Sequence, residues 1–530
     1  MFRIPIPARA GRPAPVALGA GIALALAFTA TSRSQEPPAA RLWLPALLSR
    51  APIPTPEPPG TLAPTAPTTA TSIPPSAIPP TATSGAVPSS SPNPTSSPVP
   101  LPSAGPTSEA EACGAIRSFE DGLSPQRELH VSERGDDATG DGSPGRPFRS
   151  LVPAARAARP GTAIRLHAGS YAAGVYLENL RGTAAAPIWL GGMPGEERPR
   201  LLGGANALHL VRPAWLVVHD LDVSGQSANG INADDAGAVT EPQAAGPLIF
   251  RGLAIAQVGG SGNQDCLKLS GIHGVLVRDS TFTRCGGTGS AIDMVGVHQA
   301  LVARNHFQDL SGNAVQAKGG SADVEIRWNH MLRAGERAVN MGGSTGLEFF
   351  RPPLDRAAEN AEARRVTVLA NRIEGGVTPW AFVGCVDCLV AQNTVIEPTR
   401  WLMRILQETS SQGEFRFAPT RDGQVLNNLF VFRRGQIRAD VNVGGGTAPE
   451  TFRFRNNLWY AVDDPGRSTP SLPVAETGGV VGRDPLLGAA GAISRGSPAL
   501  GAGLPGSWAP GDLIGTCWAD PPAIGAREGR

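Results

Sequence analysis

Cys266-Leu-Lys-Leu-Ser270, Ala291-Ile-Asp-Met-Val295, Ala314-Val-Gln-Ala-Lys318 and Ala338-Val-Asn-Met-Gly342 are four versions of one short strand, recurring about every 22–25 residues. Alternation with period 2 sorts each copy into two faces. Leu267, Ile292, Val315 and Val339 share one face with Leu269, Met294, Ala317 and Met341. Lys268, Asp293, Gln316 and Asn340 share the other with Ser270, Val295, Lys318 and Gly342. Stacked parallel strands with apolar columns inside and a polar face outside form a solenoid, so the repeat predicts an all-β, right-handed parallel β-helix.

A second marker fixes the register. An asparagine stands two residues before an apolar residue at Asn305, Asn329, Asn371, Asn393, Asn428 and Asn457, and Ser280 holds the same slot before Phe282. Asparagines stacked at one corner can each bond the neighbouring coil while satisfying their own turn. Upstream, Leu129-His-Val-Ser132 and Ala163-Ile-Arg-Leu-His-Ala168 read as strands. Between them Val152 to Ala158 reads as a short capping helix, stopped by Pro160-Gly161. The span 344–365 interrupts the repeat as an insertion, with a short helix expected over Leu354 to Arg364.

Composition supports a turn-rich β protein. Gly (65) and Pro (51) exceed a fifth of 530 residues, while aromatics are 5%. The formal net charge of +1 supplies no field to gather nucleic acid, which is excluded as a default partner. Residues 1–32 read as a signal peptide or N-terminal anchor, with Arg3, Arg9 and Arg12 before the apolar run from Val16 to Ala30. Residues 33–50 form a short apolar and basic segment. Residues 51–108, rich in Pro, Thr and Ser, read as a disordered spacer before a β-helix domain at 109–528. A secreted or surface-tethered monomer with no membrane span in the mature chain follows. Six cysteines suit an oxidising compartment, and their pairing stays open among 15 arrangements. Cys113 and Cys517 would meet only if a tail ran back along the solenoid. Cys385-Val-Asp-Cys388 reads as a turn disulfide or two free thiols rather than half of a zinc site.

On these residues the chain resembles the secreted β-helix proteins of the pectin-lyase-like superfamily. The resemblance rests on the opening segment from Leu129 to Tyr171, on Gly182-Thr-Ala-Ala-Ala-Pro-Ile-Trp-Leu190, and on the close from Arg495 to Glu528. It implies a fold that hosts lyases, hydrolases, epimerases and binders, with a polysaccharide, most naturally an acidic glycan, along the outer strand face.

Chemistry concentrates on that face. Elimination from a uronic-acid polymer needs a positive group to neutralise the carboxylate and a base to take the adjacent proton. Asn232-Ala-Asp-Asp235 followed by Cys266-Leu-Lys-Leu-Ser-Gly271 resembles the pattern of some β-helix pectate lyases. That resemblance implies Ca2+ at Asp234, Asp235 and Asp265, and Lys268 as a base with a lowered pKa. Lys318, in Gln316-Ala-Lys-Gly-Gly-Ser321, resembles the base of the chondroitinase B and alginate lyase group. There the matching strand of the next coil offers Asn340 instead of arginine, with Arg337 nearby, and Ser311 and Asn313 stand where calcium glutamates are expected. The candidate catalytic set is therefore Lys268, Lys318, Arg337 and Asp293, with Asn232, Gln316 and Asn340 binding substrate. A glycosidase using Asp234, Asp235 and Asp293 is a lesser alternative. A non-catalytic surface β-helix that binds glycan or builds the envelope is the other.

Overall fold

The computed structural model describes residues 113–529 apart from 261, 507 and 508. The expected signal, apolar segment and spacer lie outside the described residues. Three parallel sheets run the length of the domain. Sheet 1 has 13 strands, from Arg127–Val131 to Arg453–Arg455. Sheet 2 has ten, from Val175–Glu178 to Ala439–Val443, and sheet 3 has twelve, from Ser170–Ala172 to Val480–Val481. Each coil visits sheet 2, then 1, then 3, as in Leu267–Ser270, His273–Arg278 and Thr281–Cys285. The chain is a right-handed parallel β-helix.

The repeat explains the register. Ile231, Leu267, Ile292, Val315 and Val339 pair in turn across sheet 2, and all are buried. Phe282 stacks on Phe307 with ring centroids 5.1 Å apart, and Phe430 on Trp459 at 4.2 Å. Burying each such side chain contributes about 1.5–3 kcal/mol.

The asparagine column lies at the corner between sheets 1 and 3. Asn305 Oδ1 accepts the backbone N–H of Ser280, and Asn329 Oδ1 accepts that of Asn305. The pattern continues through Asn371, Asn393, Asn428 and Asn457 at 2.8–3.0 Å. The residue before each, from Arg304 to Asn456, has a positive φ, which turns the chain tightly enough to place the amide inside. Where the repeat ends, Glu476 replaces asparagine: one carboxylate oxygen accepts from Asn457 N and Nδ2, the other from Trp459 Nε1.

The N-terminal end is closed by the helix Leu151–Ala157, which buries Leu151 and Ala154. Its boundary is one residue earlier than expected. A tail does run back along the side: Cys113 and Cys517, 404 residues apart, form a disulfide. Phe119 packs edge-on against Trp215, and Glu120 pairs with Arg251 and Arg278. Trp328 donates Nε1–H to Gly511 O. The two tails thereby cover the outer face of sheet 1. Cys266–Cys285 and Cys385–Cys388 are the other disulfides.

The insertion differs from expectation. No helix forms over 354–364; a turn of 3-10 helix at Leu347–Phe349 and the two-residue strand Glu359–Asn360 stand there, and sheet 1 resumes at Ala363. The span carries Pro352 and Pro353, and its side chains are held by partners outside it, so isolated helix propensity has no hold.

Candidate functional site

The outer side of sheet 2 carries one polar column in register across the coils. Tyr176, His209, Asn232, Lys268, Asp293, Gln316, Asn340, Ala381, Arg404 and Asn442 pair one to the next. Neighbouring strands stand about 4.8 Å apart along this column.

At the centre of this column the fold brings together four predicted residues. Lys268 Nζ lies 2.5 Å from Asp293 Oδ2 and 3.2 Å from Asp265 Oδ2. Lys318 Nζ approaches Asp293 Oδ1 at 3.6 Å. Both aspartates are about 1% exposed, although Asp293 belongs to the outer column. Asp265 is fixed further by the backbone N–H of Ser290, and its own N–H bonds Asn229. Asp293 Oδ1 has no hydrogen-bond partner, only the more distant Lys318.

The charges follow from this geometry. Burial alone would lower the Lys268 pKa, but Asp293 and Asp265 outweigh it and hold the ammonium above its ordinary value. The expectation of a lowered Lys268 pKa is therefore reversed: its near neighbours are carboxylates, and it is held as a cation. Burial pushes Asp293 up, yet Lys268 and Lys318 overcome this and hold it below the usual range. Asp265 is raised, chiefly by burial. Two carboxylates in one cluster are thus pushed apart.

The predicted calcium set is not brought together. Arg351, from the insertion, donates Nη2 to Asp235 Oδ1 at 2.8 Å and Nε to Oδ2 at 2.9 Å. Asp234 accepts from His209 at 2.6 Å, from Asn232 at 2.9 Å and from Ala236 N at 2.9 Å. Asp265 faces Lys268. Each carboxylate already has cationic or N–H partners, so this donor set does not fit a calcium ion. Among the described residues no three His, Cys, Asp or Glu side chains are arranged to hold a metal.

The remaining predicted residues lie one or two coils away. Gln316 Nε2 donates to Gly342 O at 3.2 Å. Asn340 is buried and accepts from Arg337 at 3.1 Å. Arg337 also pairs with Glu408 at 2.6 Å, so it borders the cluster without touching it. Glu362, fully buried, accepts from Gly319 N, Thr345 N and Oγ1, and Thr409 Oγ1, tying the insertion to the loop after Trp401–Leu406. Arg351 reaches back across the coils because Gly296 has no side chain: a Cβ there would lie 2.6 Å from Arg351 Cβ. Sequence reasoning missed Arg351, Glu362 and Glu408, which lie outside the repeat. It also missed Tyr176 and His209, though the alternation of Gly174-Val-Tyr-Leu-Glu178 extended downstream would have placed both on the outer face.

No protein-family model matches the chain, and no curated protein matches it. Solved structures do resemble it. Pectate lyase Pel9A is 14% identical with a TM-score of 0.48, over 77% of this chain and 98% of that one. A lacto-N-biosidase from Eubacterium ramulus is 14% identical with a TM-score of 0.45, over 67% and 68%. A rhamnogalacturonan lyase is 12% identical with a TM-score of 0.40, over 66% and 90%. The strand register and the three parallel sheets make the architecture a right-handed parallel β-helix. In a β-helix of this kind the outer sheets differ in what covers them: here the tails occupy sheet 1, while sheet 2 keeps its polar column.

Proposed function

We propose that this protein is an extracellular, carbohydrate-active β-helix that binds an acidic glycan along sheet 2 and cleaves it by β-elimination. The observation that carries the reading is the Asp265–Lys268–Asp293–Lys318 array, centred on Lys268 and Asp293 of the sheet 2 column. In such a reaction the C–H bond beside the uronate carboxylate breaks, a C=C bond forms, and the glycosidic C–O bond to the leaving sugar breaks. The abstracted proton is finally delivered to the leaving oxygen. Lys268, held as a cation, suits the neutralising role. Lys318, with a single carboxylate at 3.6 Å, is the residue assigned as base; it acts in its neutral form, so its proton must leave before the C–H bond is broken, and Asp293 positions both lysines. Arg337 stands at the next coil as a second cation for the polymer. No step is routed through calcium, since Asp234 and Asp235 are committed to His209 and Arg351.

The test is ultraviolet absorbance of unsaturated products from polygalacturonate, alginate and chondroitin, each with added Ca2+ or with chelator. Activity on at least one polymer, insensitive to chelator and abolished in Lys318→Ala, is the expected result. No unsaturated product from any of the three refutes the elimination. Activity that requires Ca2+ refutes the reading of Asp234 and Asp235. A second reading has its own support: every carboxylate of the array is paired with a lysine, as in a purely structural ion network. On that reading the same face binds glycan without cutting it.

A further inference from the structure

Two residues of the sheet 2 column, Tyr176 and His209, have no part in the chemistry above, yet their arrangement is that of a binding platform. Tyr176 is 54% exposed, and it is the only aromatic among the exposed large hydrophobics of the described residues. It stands opposite His209 in register, with ring centroids 5.2 Å apart and planes at 87°. His209 is not free to turn. Its Nε2 meets Asp234 Oδ2 at 2.6 Å, and Asp234 is itself fixed by Asn232 Nδ2 and Ala236 N. With Nε2 bonded to that carboxylate, the imidazole keeps a single orientation and leaves Nδ1 on its other edge for a further hydrogen bond. Asn232 follows on the next coil, and Lys268 on the one after.

We propose that Tyr176 and His209 form a pyranose-binding subsite at the N-terminal end of the outer face of sheet 2, in line with the lysine array. The proposal rests on the glycan-binding part of the function proposed above. A sugar ring has an apolar C–H face and hydroxyl edges. An exposed phenol ring offers the flat apolar partner, and a rigid imidazole beside it offers a hydrogen bond to one hydroxyl. Three coil steps separate Tyr176 from Lys268, about 14 Å at 4.8 Å per strand, which is the reach of roughly three sugar units. The ligand class is therefore an oligosaccharide of at least that length, with an unsubstituted face on the sugar that meets Tyr176. The physical reason for spending a fixed histidine here is pre-organisation: a side chain already held in its bound orientation loses no rotamer freedom on binding.

The experiment is affinity electrophoresis of the full chain through gels containing polygalacturonate, alginate or chondroitin. Wild type, Tyr176→Ala, Tyr176→Phe and His209→Ala are compared, with a thermal melt of each. The expected result is retardation of the wild type by at least one polymer. Tyr176→Ala should weaken that retardation roughly tenfold with an unchanged melt, while Tyr176→Phe retains it, because the ring face and not the hydroxyl makes the contact. His209→Ala should weaken it by a smaller factor. Equal retardation of wild type and Tyr176→Ala overturns the proposal, and so does a wild type retarded by none of the three. The elimination can fail separately: retardation that depends on Tyr176 without any unsaturated product refutes the cleavage and leaves the subsite standing.

Discussion

Removing one rung from the middle of the asparagine column tests the forces that hold the coils in register. Asn371 is fully buried. Its Oδ1 accepts Asn329 N and Nδ2, both at 2.9 Å, and its Nδ2 donates to Ile326 O at 2.8 Å and to Asn393 Oδ1 at 3.0 Å. In Asn371→Ala, the Asn329 N–H loses its acceptor and Ile326 O loses its side-chain donor. A buried polar group left unpaired costs about 1–3 kcal/mol, so two cost about 2–6 kcal/mol. Ser280 supplies the internal control. Its Oγ accepts Leu253 N and donates to Arg278 O, which keeps the backbone N–H of Gly252, so Ser280→Ala orphans one group and costs about 1–3 kcal/mol. Unfolding entropy near 2.1 cal/mol/K per residue over about 400 residues gives ~0.8 kcal/mol per degree, hence a fall in melting temperature of about 2–7 °C for Asn371→Ala and about 1–4 °C for Ser280→Ala. Calorimetry, with urea unfolding beside it, reads both. An Asn371→Ala protein that melts with the wild type, or a Ser280→Ala protein that loses as much, refutes the reasoning that the column is stabilised rung by rung.

Arg351→Ala should cost about 3–5 kcal/mol, because it leaves the Asp235 carboxylate buried without its cation. Limited proteolysis within 344–362 reads it, and the double variant Asp235→Asn, Arg351→Gln should recover part of the loss; equal digestion of wild type and Arg351→Ala argues against the tie. Replacing Cys113 and Cys517 together with serine should release residues 113–126 to proteolysis while the coils stay folded, at a cost of about 2–5 kcal/mol. Protection of that arm in the double variant would show that Phe119 and Glu120 hold it alone. The raised Lys268 pKa makes a prediction in alkali. Its contribution to stability is fully present below the ordinary lysine value of 10.5 and is lost as pH rises through the higher folded value. Melting temperatures over pH of about 9 to 12 should therefore fall more steeply for wild type than for Lys268→Met, and parallel curves would contradict the clamped ammonium.

The parts legible in the sequence are those the repeat encodes. Each coil repeats the position of its neighbour, so one period places Leu267 over Ile292, Lys268 over Asp293, and Asn305 over Asn329 without knowledge of anything distant. For the same reason the array of Asp293 and the two lysines could be anticipated. Its electrostatics could not. Whether Lys268 is a base or a cation depends on which oxygens lie within 2.5–3.2 Å of Nζ, a matter of side-chain path rather than of register.

Tertiary structure alone decided whatever lies outside the period. The Asp234–Asp235 pair reads as a metal site in sequence; an arginine 116 residues later fills the Asp235 half of it. The insertion that carries this arginine takes its shape from the surface it covers, where the missing side chain of Gly296 opens a path. Cys113 finds Cys517 across 404 residues because the outer face of sheet 1 needs apolar cover from both tails. A period specifies contacts between neighbouring coils, one strand spacing apart. Insertions and tails have no such period, and only the folded surface, with its exposed apolar strips and uncompensated charges, selects where they lie.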